Sequence, residues 1–168
     1  MTIKVGDRLP EGKLYESTEF DPAIGCPMKP QPLNVGDLVK GKKIVIFGLP
    51  GAYTPTCSAQ HLPGYVTNFD KLKVKDVDEI WCMAVNDAFV MASWGRDQKA
   101  GGKVRMMADG SAEYTRKLGL ELDLTEKGMG VRCQRFAMVV DDGVVKHLAV
   151  EAPGKFEVSS AEAMLAHL

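Results

Sequence analysis

Three short apolar runs constrain this chain more than anything else in it. They are "KKIVIFGLP" at residues 42–50, "EIWCMAV" at 79–85 and "VRMMAD" at 104–109. Each is continuous rather than alternating, as expected of strands buried on both faces. A helix-patterned stretch follows each one: "TPTCSAQHLPGYVTNFDKLK" at 54–73, "AFVMASWGRDQKA" at 88–100 and "SAEYTRKLG" at 111–119. Strands separated by helical crossovers pair in parallel. Next, Asp142–Gly143 divides "RFAMVVDDGVVKHLAV" (135–150) into two strands joined by a tight hairpin. "SSAEAMLAHL" (159–168) ends the chain as a helix capped by Ser159 or Ser160. The expectation is one α/β domain over residues 1–168. It has a mixed central sheet with helices on both faces.

Local signals refine that outline. Thr54 is placed to cap the first long helix and Pro55 to begin it, while Pro63 should kink it. The second helix should break at Gly101–Gly102. The third reads as capped by Ser111 and closed by Gly119. Residues 1–40, rich in proline, glycine and polar side chains, read as short strands and loops with a helical turn at 35–41.

Composition removes several functions. The formal net charge is -1, which gives no strong attraction to nucleic acid or anionic membrane. No apolar run approaches the ~20 residues of a bilayer-spanning helix. "MTIKVGDRLPEG" lacks the apolar core of a secretory signal, so a cytoplasmic protein is expected. Cys26, Cys57, Cys82 and Cys133 are scattered and form no C-x-x-C, and His61, His147 and His167 do not pair with them in metal-ligand spacing. Neither a metal site nor a disulfide framework is expected, and the thiols read as free. "GLPGAYT" lacks the G-K-[ST] ending of a phosphate loop.

Cys57 is the residue with chemistry to offer. It follows the carboxyl end of the first apolar strand, where sites form in open α/β sheets. It also falls in the first turn of a helix, three residues after Thr54. Unpaired N–H groups and the helix dipole favour a thiolate there, and the thiolate is the nucleophilic form. A small buried thiol would fit the same sequence position. The capping geometry and polar setting favour a reactive one without naming its substrate. His61 lies one turn further on, so a Cys–His pair is conceivable, although a structural or hydrogen-bonding histidine is the better reading.

"PGAYTPTC" contains P-x-x-x-T-x-x-C at Pro50, Thr54 and Cys57, and this resembles the active-site signature of peroxiredoxins. "SAQHLPGYV", "VNDAFVMASWG" at 85–95, "KVRMMADGSAEYTRKLGLELDL" at 103–124 and "RFAMVVDDGVVKHLAVE" at 135–151 resemble the type II, peroxiredoxin-five-like members. The likeness is close over residues 40–168 and looser before. It implies a thioredoxin-like fold and reduction of hydrogen peroxide and alkyl hydroperoxides by thiol donors, without metal or cofactor. It also implies a homodimer. Cys57 matches the peroxidatic cysteine, Thr54 the threonine that contacts peroxide, Pro50 the proline that shields the sulfur, and Arg135 the arginine that stabilises the thiolate. Arg132 lies close by but out of frame.

The resemblance leaves regeneration open. Some type II members carry a resolving cysteine before the terminal helix, and "EAPGKFEVSSAEAM" here has none. Cys82 lies about 13 Å below the strand edge at ~3.3 Å per residue, too far for a disulfide without unwinding. Cys133, two residues before Arg135, would share a face with it if one strand held both. Cys26 gets no role. A one-cysteine cycle with glutaredoxin and glutathione, or thioredoxin, as reductant is the working expectation. A two-cysteine cycle through Cys82 or Cys133, a peroxide sensor without turnover, and a thiol–disulfide oxidoreductase are the rivals, the last weakened by Thr54 standing where a C-x-x-C would begin. Phe89, Met91 and Trp94 read as core-packing positions of their helix.

Overall fold

The computed structural model describes all 168 residues. The first forty hold β1 (Lys13–Glu16), β2 (Glu19–Asp21), β3 (Cys26–Met28), β4 (Gln31–Asn34) and the single turn α1 (Val35–Leu38). Then come β5 (Lys43–Gly48), a π-helical turn (Cys57–His61), α2 (Leu62–Thr67), α3 (Phe69–Val74), β6 (Glu79–Ala84), α4 (Ala88–Asp97) and β7 (Arg105–Ala108). The chain continues through α5 (Glu113–Leu118), β8 (Glu121–Leu124), β9 (Gly130–Cys133), β10 (Phe136–Asp141), β11 (Val144–Val150) and α6 (Ala161–Leu165).

The central sheet has seven strands in the order β11-β10-β5-β6-β7-β1-β4. β5, β6 and β7, the three apolar runs, pair in parallel. β10 and β11, the predicted hairpin, close one side of the sheet, β10 antiparallel to β5 and β11 antiparallel to β10. β1 and β4 extend the other side, β1 antiparallel to β7 and β4 antiparallel to β1. β2–β3 and β8–β9 form separate two-stranded ribbons.

Period-two alternation in the buried strands feeds two cores. Val45, Phe47, Ile80, Cys82, Ala84, Ala137 and Val139 point to the face covered by α2, α3, α4 and α6. Ile44, Ile46, Trp81, Met83, Met138 and Val140 point to the face covered by α1, α5 and the N-terminal segment. Helices therefore lie on both faces, as expected. Met91 and Trp94 pack into the first core, but Phe89 is 49% exposed, so only two of those three helix positions are core.

Some boundaries differ from the sequence reading. Ser111 does not cap α5. Ala112 takes a left-handed φ of 59°, and the Asp109 carboxylate instead accepts from the Tyr114 N–H (3.2 Å), the Thr115 N–H (2.7 Å) and the Thr115 hydroxyl (2.7 Å). Gly119 closes that helix at φ 72°, as predicted. Asp87 caps α4 by accepting from the Val90 N–H, and α4 ends at Asp97, before the Gly101–Gly102 break. Ser160, not Ser159, caps α6.

Candidate active site

The register of the sheet builds the site. β10 runs antiparallel to β5 with Phe136 opposite Gly48. The residue before Phe136, Arg135, therefore stands at the carboxyl end of β5. β11 pairs Val150 with Phe136, and the next N–H, that of Glu151, donates to the Arg135 carbonyl at 2.9 Å. The loop leaving β5 and the residues flanking β10 and β11 thus meet at one sheet edge.

Cys57 enters from the loop side. The chain is helical from Pro55, and the Thr54 carbonyl accepts from the Ser58 N–H, so Thr54 does occupy the capping position. Its hydroxyl does not cap, however; it donates to the Gly51 carbonyl at 2.7 Å. The turn is wide, with the Leu62 N–H bonded to the Cys57 carbonyl five residues back. Pro63 accounts for this local geometry: it has no N–H to bond the Ala59 carbonyl, and its ring would crowd that group in a regular helix. The predicted kink is therefore a π turn that begins on the cysteine.

This turn presents Cys57 and His61 to the same guanidinium. Arg135 Nη2 donates to Cys57 Sγ at 3.1 Å, and Nη1 lies 2.9 Å from His61 Nδ1. Cys57 is fully buried. Because an arginine only donates, Nδ1 of His61 is an acceptor and carries no proton. His61 Nε2 lies 3.0 Å from the Ser159 carbonyl, which only accepts, so the proton is on Nε2. Burial, with the Arg135 charge second, pushes the imidazole down to about 3. Both nitrogens are engaged and neither faces the sulfur. His61 orients Arg135 and is no general base for Cys57.

The loop before Cys57 is braced on two sides. The Ala52 N–H donates to Asn86 Oδ1 at 2.9 Å. Arg132 donates to the Pro50 carbonyl at 3.2 Å and to the Met129 carbonyl at 2.9 Å. A Cβ on Gly51 would stand 2.6 Å from Arg132 Nη1, so a larger residue here would displace that guanidinium from the Pro50 carbonyl. Tyr53, beside Thr54, holds a left-handed φ of 62°, a strained conformation for a non-glycine residue. Its hydroxyl donates to Asp97 at 2.7 Å. A cavity of about 330 Å³ opens against Arg135, with Pro50, Thr56, Gln60, Lys155 and Phe156 in its wall. A larger cavity of about 520 Å³, beside Phe20 and Arg96, has no cysteine in its wall.

Arg135 contacts the Cys57 sulfur directly and shares a cavity wall with Pro50, while Thr54 stands just before the helical turn that carries the cysteine; Cys82 and Cys133 do not join them. Cys82 sits in mid-strand opposite Phe47, fully buried, and burial pushes its thiol well up. Cys133 corrects an expectation. It ends β9, in the ribbon paired with β8, while Arg135 precedes β10, so one strand does not hold both. Cys133 packs into the core on the opposite face of the sheet, where burial likewise raises its thiol. All four cysteines are unbridged. Sequence reasoning also missed Ser159, Glu151 and Asn86, which bind the site through contacts of long sequence separation. It set Arg132 aside as out of frame, yet this residue holds the Pro50 carbonyl.

The redoxin family model matches residues 4–165. Peroxiredoxin-2B of Arabidopsis thaliana is 48% identical over 163 residues, covering 97% of this chain and 96% of that protein. Reduced Prx3 of Vibrio vulnificus, solved in complex with hydrogen peroxide, is 48% identical with a TM-score of 0.90 over 99% of each chain. A Burkholderia cenocepacia protein whose crystal structure is described as that of a thioredoxin reductase is 58% identical, with a TM-score of 0.94 over 100% of this chain and 99% of its own. The present chain has no C-x-x-C, so that description stays with that protein. Together with the thioredoxin-like sheet, these likenesses place the chain in the redoxin family, as a type II peroxiredoxin and hence a thiol-dependent peroxidase.

Proposed function

We propose that Cys57 is the peroxidatic residue and that it reduces hydrogen peroxide and alkyl hydroperoxides in a one-cysteine cycle. The observation that carries this reading is the Arg135 donation to a buried Cys57 sulfur at 3.1 Å. The guanidinium is a fixed positive charge placed to stabilise the charge that develops on a departing oxygen, and the exclusion of water strengthens that interaction. The Thr54 hydroxyl hydrogen is engaged by Gly51, which leaves the oxygen lone pairs to accept a peroxide O–H. The thiolate attacks the distal peroxide oxygen and forms an S–O bond. The O–O bond breaks, and the departing alkoxide or hydroxide takes a proton to leave as alcohol or water. Pro50 shields the sulfur from bulk water.

Regeneration then uses an external thiol. Glutathione attacks the sulfenic acid, releasing water and leaving a mixed disulfide. Glutaredoxin, or a second thiol, takes the glutathionyl group and returns the Cys57 thiol. Thioredoxin is the alternative donor. Supporting this cycle, Cys82 is buried in mid-strand and Cys133 lies in the other core. The unbridged cysteines suit a cytoplasmic setting. Exposed Tyr53, Phe89 and Ile24 offer an apolar face for a second copy of the chain. The test is diketone trapping of the sulfenic acid followed by peptide mass spectrometry. Label on Cys57 is expected; a stoichiometric Cys57–Cys82 or Cys57–Cys133 bridge sinks the one-cysteine cycle.

A further inference from the structure

Behind His61 stands a second layer of contacts that ends on a carboxylate. Glu151 is 7% exposed and follows β11 directly. Its carboxylate accepts from three successive backbone N–H groups: Glu157 at 2.9 Å, Val158 at 2.8 Å and Ser159 at 2.8 Å. It accepts from the Ser159 hydroxyl as well, at 2.7 Å. Residues 157–159 are thereby folded around one anion. The Ser159 carbonyl points the other way and accepts from His61 Nε2 at 3.0 Å and from the Tyr65 hydroxyl at 2.8 Å. Tyr65 is itself fixed by a parallel stack on Phe47, with ring centroids 4.0 Å apart.

We propose that Glu151 is a positioning residue for the peroxidatic centre: by clamping residues 157–159 it aims the Ser159 carbonyl at His61 Nε2, locks the tautomer with a bare Nδ1, and so keeps the Arg135 fork on the Cys57 sulfur. The inference rests on the peroxidase reading of Cys57. Its logic is one of donors and acceptors. A proton on Nδ1 would face the Arg135 N–H, two donors with no acceptor between them, and the fork would turn away. The Ser159 carbonyl prevents this by holding the proton on Nε2. Burial raises the Glu151 carboxyl, but the hydrogen bonds from Ser159, Glu157 and Val158 outweigh it and hold the group below its ordinary value, so it remains an anion at neutral pH.

The test is Glu151→Gln, read by imidazole ¹⁵N NMR of His61 and by the single-turnover rate of Cys57 with hydrogen peroxide. The amide offers one accepting oxygen to donors that now share a full carboxylate. Expected are loss of the single Nε2–H tautomer and a rate lower by roughly 10- to 100-fold, the upper figure being the scale on which a ~1 Å misplacement of a reacting group acts. Glu157→Gln is the control. Its side chain is exposed and only its backbone N–H contacts Glu151, so tautomer and rate should match wild type. If E151Q does not fold, Glu151→Asp carries the test, keeping the charge but drawing it back by one methylene. A wild-type tautomer and rate in a folded Glu151 variant overturn the inference. Failure of the peroxidase reading would be seen separately, as wild-type Cys57 that peroxide does not oxidise.

Discussion

Replacing Arg135 by lysine separates charge from geometry at the centre of the site. The guanidinium makes two donations at once, Nη2 to Cys57 Sγ at 3.1 Å and Nη1 to His61 Nδ1 at 2.9 Å. A lysine ammonium keeps the positive charge but is a single point on a flexible stem, and it cannot hold both partners in a fixed plane. Charge-assisted hydrogen bonds contribute about 1.5–3 kcal/mol. If R135K forfeits one of the two, the rate of Cys57 oxidation falls roughly 10- to 150-fold, at 1.36 kcal/mol per decade. Arg135→Gln, which also removes the charge, should fall further. The assay is stopped-flow peroxide oxidation followed by tryptophan fluorescence. Trp94 is a suitable reporter because its indole N–H donates to the Ser58 hydroxyl, next to Cys57, at 3.0 Å. An R135K rate within about threefold of wild type would refute the argument that the fork matters.

Other consequences follow from the same contacts. Cys82→Ala and Cys133→Ala should each retain turnover with glutathione and glutaredoxin, and loss of turnover with conversion of Cys57 to higher oxides in either variant would assign that thiol a resolving role. Asp109→Ala removes three hydrogen bonds at the start of α5. It should cost about 1–2 kcal/mol, lowering Tm by roughly 3–6 °C, as calorimetry would show. Glu79 is one carboxylate that contributes to acid stability. Burial raises its pKa, but bonds from Lys42, Trp81 and Arg105 overcome this and bring it down to about 2. A depressed carboxylate stabilises the fold above its ordinary value near 4.5 and loses that contribution as pH falls toward 2. Urea unfolding should therefore show wild type exceeding Glu79→Gln by about 2–3 kcal/mol at pH 7, with the gap closing by pH 2; a gap independent of pH would contradict it.

The apolar runs and the Asp142–Gly143 hairpin made the middle of the sheet legible, because burial on both faces leaves a dense local pattern. The three strands needed no long-range information to be found. β1 and β4 were less visible as sheet members: each is four residues long, and what recruits them is pairing, of β1 with β7 and of β4 with β1, rather than their own sequence. Cys57 was legible because strand end, glycine-rich loop, threonine and proline fall within ten residues. Cys133 was misplaced because the chain leaves β9 and starts β10 across just Gln134 and Arg135, a break with no glycine or proline to mark it. The cap of α5 was misread for a different reason. A left-handed Ala112 lets a carboxylate from before the serine reach the exposed N–H groups. The support behind His61 was invisible for a third: Glu151 and Ser159 are separated from it by about ninety residues or more, and only the fold brings them together.

Steady-state consumption of hydrogen peroxide by wild type and Cys57→Ser, with glutathione and glutaredoxin or with thioredoxin supplied in turn, tests the central claim most directly. The account predicts sustained turnover by the wild-type protein with at least one donor and none by C57S with any. Turnover retained in C57S, or a single equivalent of peroxide consumed by wild type with every donor, would contradict it.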